Sequence, residues 1–209
     1  MTEINLCFVN SSDDIHDSKI VIYQQNVAAL PGEPVVAWRV ITSKKGDKKH
    51  FSFSVIPTVG AVDAYGNVMP YVPASNGQRF DVVSTPLGNQ LQLSAQAAEN
   101  KNAVEVHNEL PVGTITAKIF RNGASLLAEK AGIGPGQKAA FQLLPEIYIA
   151  VVTGMDIEQG DVIDSTMISN NFAMLSLIGI ASADIVLTGG GAPGSAVPYL
   201  FTLQNIKYA

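Results

Sequence analysis

The sequence predicts an all-β protein folded as an antiparallel β-sandwich, jelly-roll-like or immunoglobulin-like. Residues 113–121 alternate strictly, with Ile115, Ala117 and Ile119 on one face and Thr114, Thr116 and Lys118 on the other. That is the period of a strand with one buried face. Asn122-Gly123 comes next, a dipeptide that tolerates the positive φ angles of a tight hairpin turn. Short runs of this kind then recur about every ten residues, separated by turn-forming residues, as in a sandwich.

Taken in order, residues 3–10 form the first strand, with Ile4, Leu6 and Phe8 on one face, and Ser11-Ser12-Asp13-Asp14 turn the chain. Residues 19–25 alternate Ile20, Ile22 and Gln24 against Val21, Tyr23 and Gln25. Pro31-Gly32-Glu33-Pro34 breaks the pattern before a strand over 35–42 that carries Trp38, the only tryptophan. A lysine turn leads to the clean alternation of 50–55. From 57 to 78 three prolines mark a long loop around a short strand at 59–64. Residues 79–84 and 90–95 read as a hairpin closed by Thr85-Pro86-Leu87-Gly88-Asn89, and 104–108 as a short strand.

The stretch 111–154 reads as one antiparallel meander: 113–121, its return at 124–130, then 138–143 after Gly134-Pro135-Gly136-Gln137, and finally 147–152. The last of these is apolar on both faces, as a central strand is. Beyond it, 166–180 mixes periods, and Ile168, Phe172 and Leu175 also suit one face of a helix. One short helix in the C-terminal third is therefore an alternative to strands at 173–178 and 183–187. Residues 198–206 make the last strand. A single domain over 1–209 is the simplest organisation, with the polar stretch 97–102 as a secondary boundary.

Composition narrows function by exclusion. Only 15% of the 209 residues are charged, against roughly 25% in typical soluble domains. Low charge weakens the repulsion that keeps copies apart, so other copies of the chain are the first expected partner. A net charge of −5 argues against nucleic acid, which needs a basic face. The N-terminus lacks a basic and then apolar leader, and no apolar run reaches spanning length. The expectation is a cytoplasmic protein, or one exported by a route without an N-terminal mark, with no transmembrane segment. The single cysteine, Cys7, reads as a small core hydrophobe.

The opening Phe8-Val9-Asn10-Ser11-Ser12, then Ile22-Tyr23-Gln24 and Ala37-Trp38, resembles the start of a group of functionally uncharacterised bacterial all-β proteins. A Pro-x-x-Tyr-Ile at 145–149 and a Gly-x-Val-Ile-Asp at 160–164 follow in that group's order. The resemblance implies a soluble β-protein and carries no activity or site residue.

No constellation carries chemistry outright, and neither a catalytic set nor a cofactor is expected. Gly189-Gly190-Gly191-Ala192-Pro193-Gly194-Ser195 spells a dinucleotide fingerprint. However, a strand rather than a helix follows, and the distal acid and the P-loop lysine are both missing. Asp156, Glu158, Asp161 and Asp164 are close enough for calcium but match no calcium-loop spacing. His16, His50 and His107 are scattered; His107 beside Glu105 fits a base with an orienting carboxylate, but residues two apart on one strand face are neighbours in any sheet, so a structural role is the leading expectation. Trp38, Tyr65, Tyr71 and Tyr148 could stack on sugars, and Tyr65 and Tyr71 bracket the long loop. Lys44, Lys45, Lys48 and Lys49 form the one basic cluster, facing water, an anionic membrane surface or a glycan. Tyr199 and Phe201 lie on an uncharged last strand whose edge suits another copy.

The leading expectation is a non-enzymatic homo-oligomer that acts by self-assembly or binding. The alternative is a lectin-like or membrane-surface-binding effector or toxin. The third is a hydrolase whose triad assembles only on folding.

Overall fold

The computed structural model describes residues 3–15, 18–30, 33–123, 125–153, 156–163, 172–192 and 194–209, and these are all β, turn and loop. In chain order the strands are β1 Glu3–Asn10, β2 Lys19–Tyr23, β3 Val35–Val36, β4 Arg39–Thr42, β5 Lys48–Ser54 and β6 Thr58–Asp63. They continue as β7 Val72–Pro73, β8 Gln78–Thr85, β9 Gly88–Ala97, β10 Val104–Asn108, β11 Ile115–Arg121 and β12 Ser125–Ile133. The last six are β13 Lys138–Phe141, β14 Glu146–Val152, β15 Val162–Ile163, β16 Phe172–Ser176, β17 Ile180–Gly190 and β18 Val197–Tyr208. The chain divides into two compact units: Met1–Gln25, Val35–Val55 and Pro145–Ala209 form the first, and Asn26–Pro34 with Ile56–Leu144 the second. Residues 97–102 lie inside the second unit.

The first unit holds two four-stranded sheets, ordered β18-β17-β1-β5 and β16-β14-β2-β4, and a ribbon of β15 and β3. Period-two alternation gives each sheet an apolar face. Ile4, Leu6, Phe8, Phe51, Phe53 and Ile185 are buried from one sheet, and Ile20, Ile22, Ile41, Ile147 and Ile149 from the other. Burying a side chain of this size contributes about 1.5–3 kcal/mol. The second sheet is buried on its other face too, where Val21, Tyr23 and Val152 cluster with Ala37, Ile157 and Ile163. This explains the two-sided apolar reading of 147–152: β14 is a central strand, paired to β2 and to β16.

The second unit repeats the plan with sheets β13-β10-β8-β9 and β12-β11-β6-β7. Its core is built from Phe80, Val82, Val104, Val106 and Phe141 on one side and Val59, Ile115, Ile119, Leu127 and Ile133 on the other. Each unit also contains one parallel pair, β1 with β17 and β8 with β10.

The expected meander over 111–154 does not exist as one sheet. Only β11 and β12 pair, around Asn122 and Gly123 at φ 52° and 87°. The Gly134–Gln137 turn then carries the chain to β13 in the facing sheet, and after Pro145 it enters the first unit. The lysine turn is likewise an arch and not a hairpin loop, because β4 and β5 belong to different sheets. The arch is pinned to the end of β1, where buried Asn10 donates to Ser43 Oγ at 3.0 Å and its carbonyl accepts from Gly46 N at 2.7 Å. Residues 164–171, where part of the helical alternative falls, lie outside the described residues; from Phe172 the chain is β16.

Gly189 and Gly190 belong to β17 and hold a close approach. A Cβ on Gly189 would collide with the carbonyl oxygen of Pro198, and one on Gly190 would lie 2.9 Å from the Tyr199 ring. Both residues have positive φ, which glycine adopts without strain. The Gly-rich stretch thus packs one strand closely on another.

Candidate functional site

In the second unit, alternation sends the apolar residues of β8, β10 and β13 into the core and their charged residues to the opposite face. Register then sets His107 opposite both Asp81 and Lys138, and Glu105 opposite Arg79. Glu105 is 1% exposed. It takes a hydrogen bond from Lys138 Nζ at 3.1 Å and from the backbone N–H of Glu99 and Asn100, both at 3.2 Å, and it bonds the His107 ring at 3.0 Å. Burial alone would raise its pKa, but the bonds to His107, Asn100 and Lys138 outweigh burial and bring it down to about 2. Lys138 is pushed down by burial and up by Glu99 and Glu105, and the pairing wins, leaving its pKa raised.

Beside this lies a cleft of about 650 Å³ that includes Arg79, His107, Glu109, Lys130 and Lys138 in its wall. Ligand atoms of Asp81, His107 and Glu109 fall within 4.8 Å of one another, the one such grouping among the described residues. Arg79 already occupies their centre of charge: its Nε meets Asp81 at 2.6 Å and its Nη2 meets Glu109 at 2.7 Å. The guanidinium supplies the positive charge that such donors would draw from a metal ion. The pairing of Glu105 with His107, read from their spacing, is therefore embedded in an ion-pair network. The ring is held by the Glu105 carboxylate within that wall.

A second histidine contact arises where β1 and β5 pair. His50 lies opposite Cys7, with Nε2 3.7 Å from Sγ. Cys7 is 7% exposed, and burial first, then Asp184, raise its pKa against the lowering effect of Lys48. A reactive thiolate requires the opposite shift.

Between the edge strands β4 and β5 runs a narrower cleft of about 360 Å³, lined by Arg39, Lys48, Lys49 and His50 among others. The Arg39 guanidinium lies 4.9 Å from the centre of the Phe51 ring and 5.5 Å from that of Trp38. Burial lowers its pKa.

The residues singled out from sequence are dispersed. Trp38 is 1% exposed and packs edge-on against Phe51 and Phe53 at 6.1 and 5.7 Å, so it presents no face to a sugar. Tyr65 is 84% exposed, while Tyr71 is half-exposed with its ring against Phe120 at 4.3 Å. Tyr148 is stacked on Tyr23 at 5.2 Å. Lys44, Lys45, Lys48 and Lys49 are all exposed, and Lys45 pairs with Asp13. Phe201 is buried and points into the first unit, which corrects its placement on an interaction surface. Tyr199 donates its hydroxyl to Asp14 at 2.7 Å, and burial together with that bond pushes its pKa up to about 12. Asp156 pairs with Lys19 at 2.8 Å, and Asp161 accepts from the backbone N–H of Glu158, also at 2.8 Å. Both acids thus have structural partners, and Asp164 lies outside the described residues.

Arg39, Arg79, Asp81, Glu109 and Lys138 were not singled out from sequence. For Arg79, Asp81 and Lys138 the signal is a charged residue facing away from the apolar side of its strand, whereas Glu109 follows β10 in a loop. Their convergence needs the register between strands.

Among the described residues the four four-stranded sheets have eight edges, and these differ sharply in charge. β5 and β4 carry Lys48, Lys49 and Arg39; β12 and β13 carry Glu129, Lys130 and Lys138; β7 is two residues ending in Pro73. β9 has ten residues and β16 five with no charge, and β18 has twelve with Lys207 alone. The end of β9 is open on both faces at Ala95, Gln96 and Ala97, and 204–208 of β18 are exposed at every position.

Among the described residues no helix is long and apolar enough to cross a membrane. Compared with protein-family models, curated proteins and solved structures, the chain matches none.

Proposed function

We propose that this chain is a non-enzymatic, self-assembling β-sandwich protein that works as a homo-oligomer joined through strand edges. The observation that carries this reading is the unequal protection of its edges. A free edge is a template for another strand, and proteins blunt it with charge, proline or shortness. Five of these eight edges use those devices, β9 and β16 carry neither charge nor proline, and twelve-residue β18 has only Pro198 near its start and Lys207 near its end. In the first unit the two least protected edges, β16 and β18, touch each other. Phe172, Met174, Val197 and Leu200 are exposed on those two strands. Edge addition of another copy would satisfy the free backbone groups and cover these side chains together. The low charge of the whole chain favours the same outcome.

Light scattering coupled to size exclusion tests the reading. The expected result is a defined oligomer at micromolar concentration. A strict monomer across that range overturns it.

A further inference from the structure

We infer that the seam between β4 and β5 is a binding site for a phosphate-bearing ligand, with the guanidinium of Arg39 at its centre. The site lies on the charged side of the first unit, at the sheet edges opposite β16 and β18. It is therefore independent of the assembly reading.

The first observation is unbalanced charge. Arg39, Lys48, Lys49 and His50 line the cleft, and no acid shares the wall. The neighbouring acids are already engaged in the arch: Asp13 with Lys45, and Asp47 with the backbone N–H of Lys44 at 3.0 Å. Among the described residues Arg39, Lys48 and Lys49 form no ion pair, whereas Arg79 has two carboxylates.

The second observation is the state of Arg39 itself. Its Nε is buried and has no hydrogen-bond partner. A desolvated cation ordinarily gains a carboxylate to offset its lost hydration. Here Phe51 and Trp38 take the faces of the guanidinium instead. With Nε buried, the two Nη groups are the donors left for an anion, and a guanidinium offers them as a pair suited to two-point recognition of phosphate. Burial lowers the pKa of Arg39, and a bound anion would reverse that shift. Protection of a strand edge would need only the charge. It would not need the charge to be desolvated on two aromatic rings without a counterion.

The third observation is rigidity. Trp38 is anchored in the core, and Lys48 and Lys49 lie on β5, paired with Val9 and Phe8 of β1. The backbone of the lysines and the guanidinium of Arg39 are therefore placed before a ligand arrives, which reduces the ordering cost of binding. Arg39 and Lys49, which is on the Phe51 face of β5, supply two permanent positive charges, and these match a phosphate monoester dianion better than a single carboxylate does.

Trp38, the only tryptophan, stacks beside the proposed site and reports on it. The full chain is titrated with inorganic phosphate and with glycerol phosphate, and separately with phosphatidylcholine vesicles with and without phosphatidic acid. Ionic strength is matched with chloride throughout. The expected result is saturable change in Trp38 fluorescence, or vesicle flotation, that requires the phosphate group. Arg39→Met keeps the stacked stem and removes the fork, and is expected to weaken binding at least about tenfold. Lys49→Gln, at an exposed position, is expected to weaken it several-fold, and it keeps the test decisive if Arg39→Met does not fold. Lys45→Gln, whose lysine pairs with Asp13, is expected to stay within about twofold of the parent. Response to the soluble phosphates assigns a free ligand, and response to phosphatidic acid vesicles alone assigns a lipid headgroup; both support the site. No response to any probe overturns the proposal, as does binding that neither Arg39→Met nor Lys49→Gln weakens.

Discussion

Glu105 departs from what burial alone would impose. It keeps its charge because four groups converge on it, and its pKa near 2 lies below the ordinary 4.5. A carboxyl depressed in the folded state stabilises the fold fully above its unfolded pKa and loses that contribution as the pH falls through the folded value. Stability should therefore decline between about pH 5 and pH 2, and Glu105→Gln should flatten that part of the profile. At neutral pH the substitution should cost about 2–3 kcal/mol, because Lys138 and two backbone donors lose an ionised acceptor. Urea denaturation at several pH values checks both statements, and a substituted chain with the parent profile would refute them. Gly189 offers a second test at this scale. Gly189→Ala combines positive φ with a collision against the Pro198 carbonyl and should cost at least about 2 kcal/mol by thermal unfolding. The spacing of Glu105 and His107 was legible as an i, i+2 pair. Their junction with Arg79, Asp81 and Lys138 was not, since it depends on the pairing of β10 with β8 on one side and with β13 on the other.

At the scale of elements, alternation located nearly every strand, and the Asn122-Gly123 turn located the β11–β12 hairpin. What alternation could not assign was the partner of each strand. β4 and β5 are joined by a short turn and yet enter different sheets, as do β12 and β13. An arch and a hairpin can share the same turn residues; the difference lies in whether the two apolar faces meet across a core or lie side by side in one sheet. The same ambiguity hid the edges, because a strand becomes an edge only when its sheet is known. A prediction follows from the edges as they stand. Leu200→Lys on β18 should lower the mass of the assembly, since an inserted charge is the device the other edges already use. Leu93→Lys tests β9 in the same way. A matched Thr42→Lys on β4, an edge already flanked by Arg39, should leave the mass unchanged. Light scattering on the three variants decides among the edges, and an unchanged mass for both Leu200→Lys and Leu93→Lys would exclude β18 and β9 as contacts.

For the molecule as a whole, two kinds of surface predict two responses to salt. Contacts through apolar, uncharged edges should be insensitive to ionic strength, whereas binding at the Arg39 seam should weaken as screening shortens the reach of its charges. Raising salt from about 0.05 to 0.5 M should leave the assembly mass unchanged while reducing phosphate binding. Dissociation of the assembly by salt would instead point to ion pairs between copies. By itself the sequence determined that the chain is all-β, where most strands lie and which of their faces are apolar, because a side-chain period of two is a local property of the backbone. It also determined that the chain carries little charge. The tertiary structure alone decided the division into two sandwich units, the choice of edges, the ion-pair wall around Glu105 and the desolvated guanidinium of Arg39. Each of these depends on pairing between strands distant in sequence, and on core packing across two facing sheets. Period-two alternation records which way a side chain faces, but not what it meets.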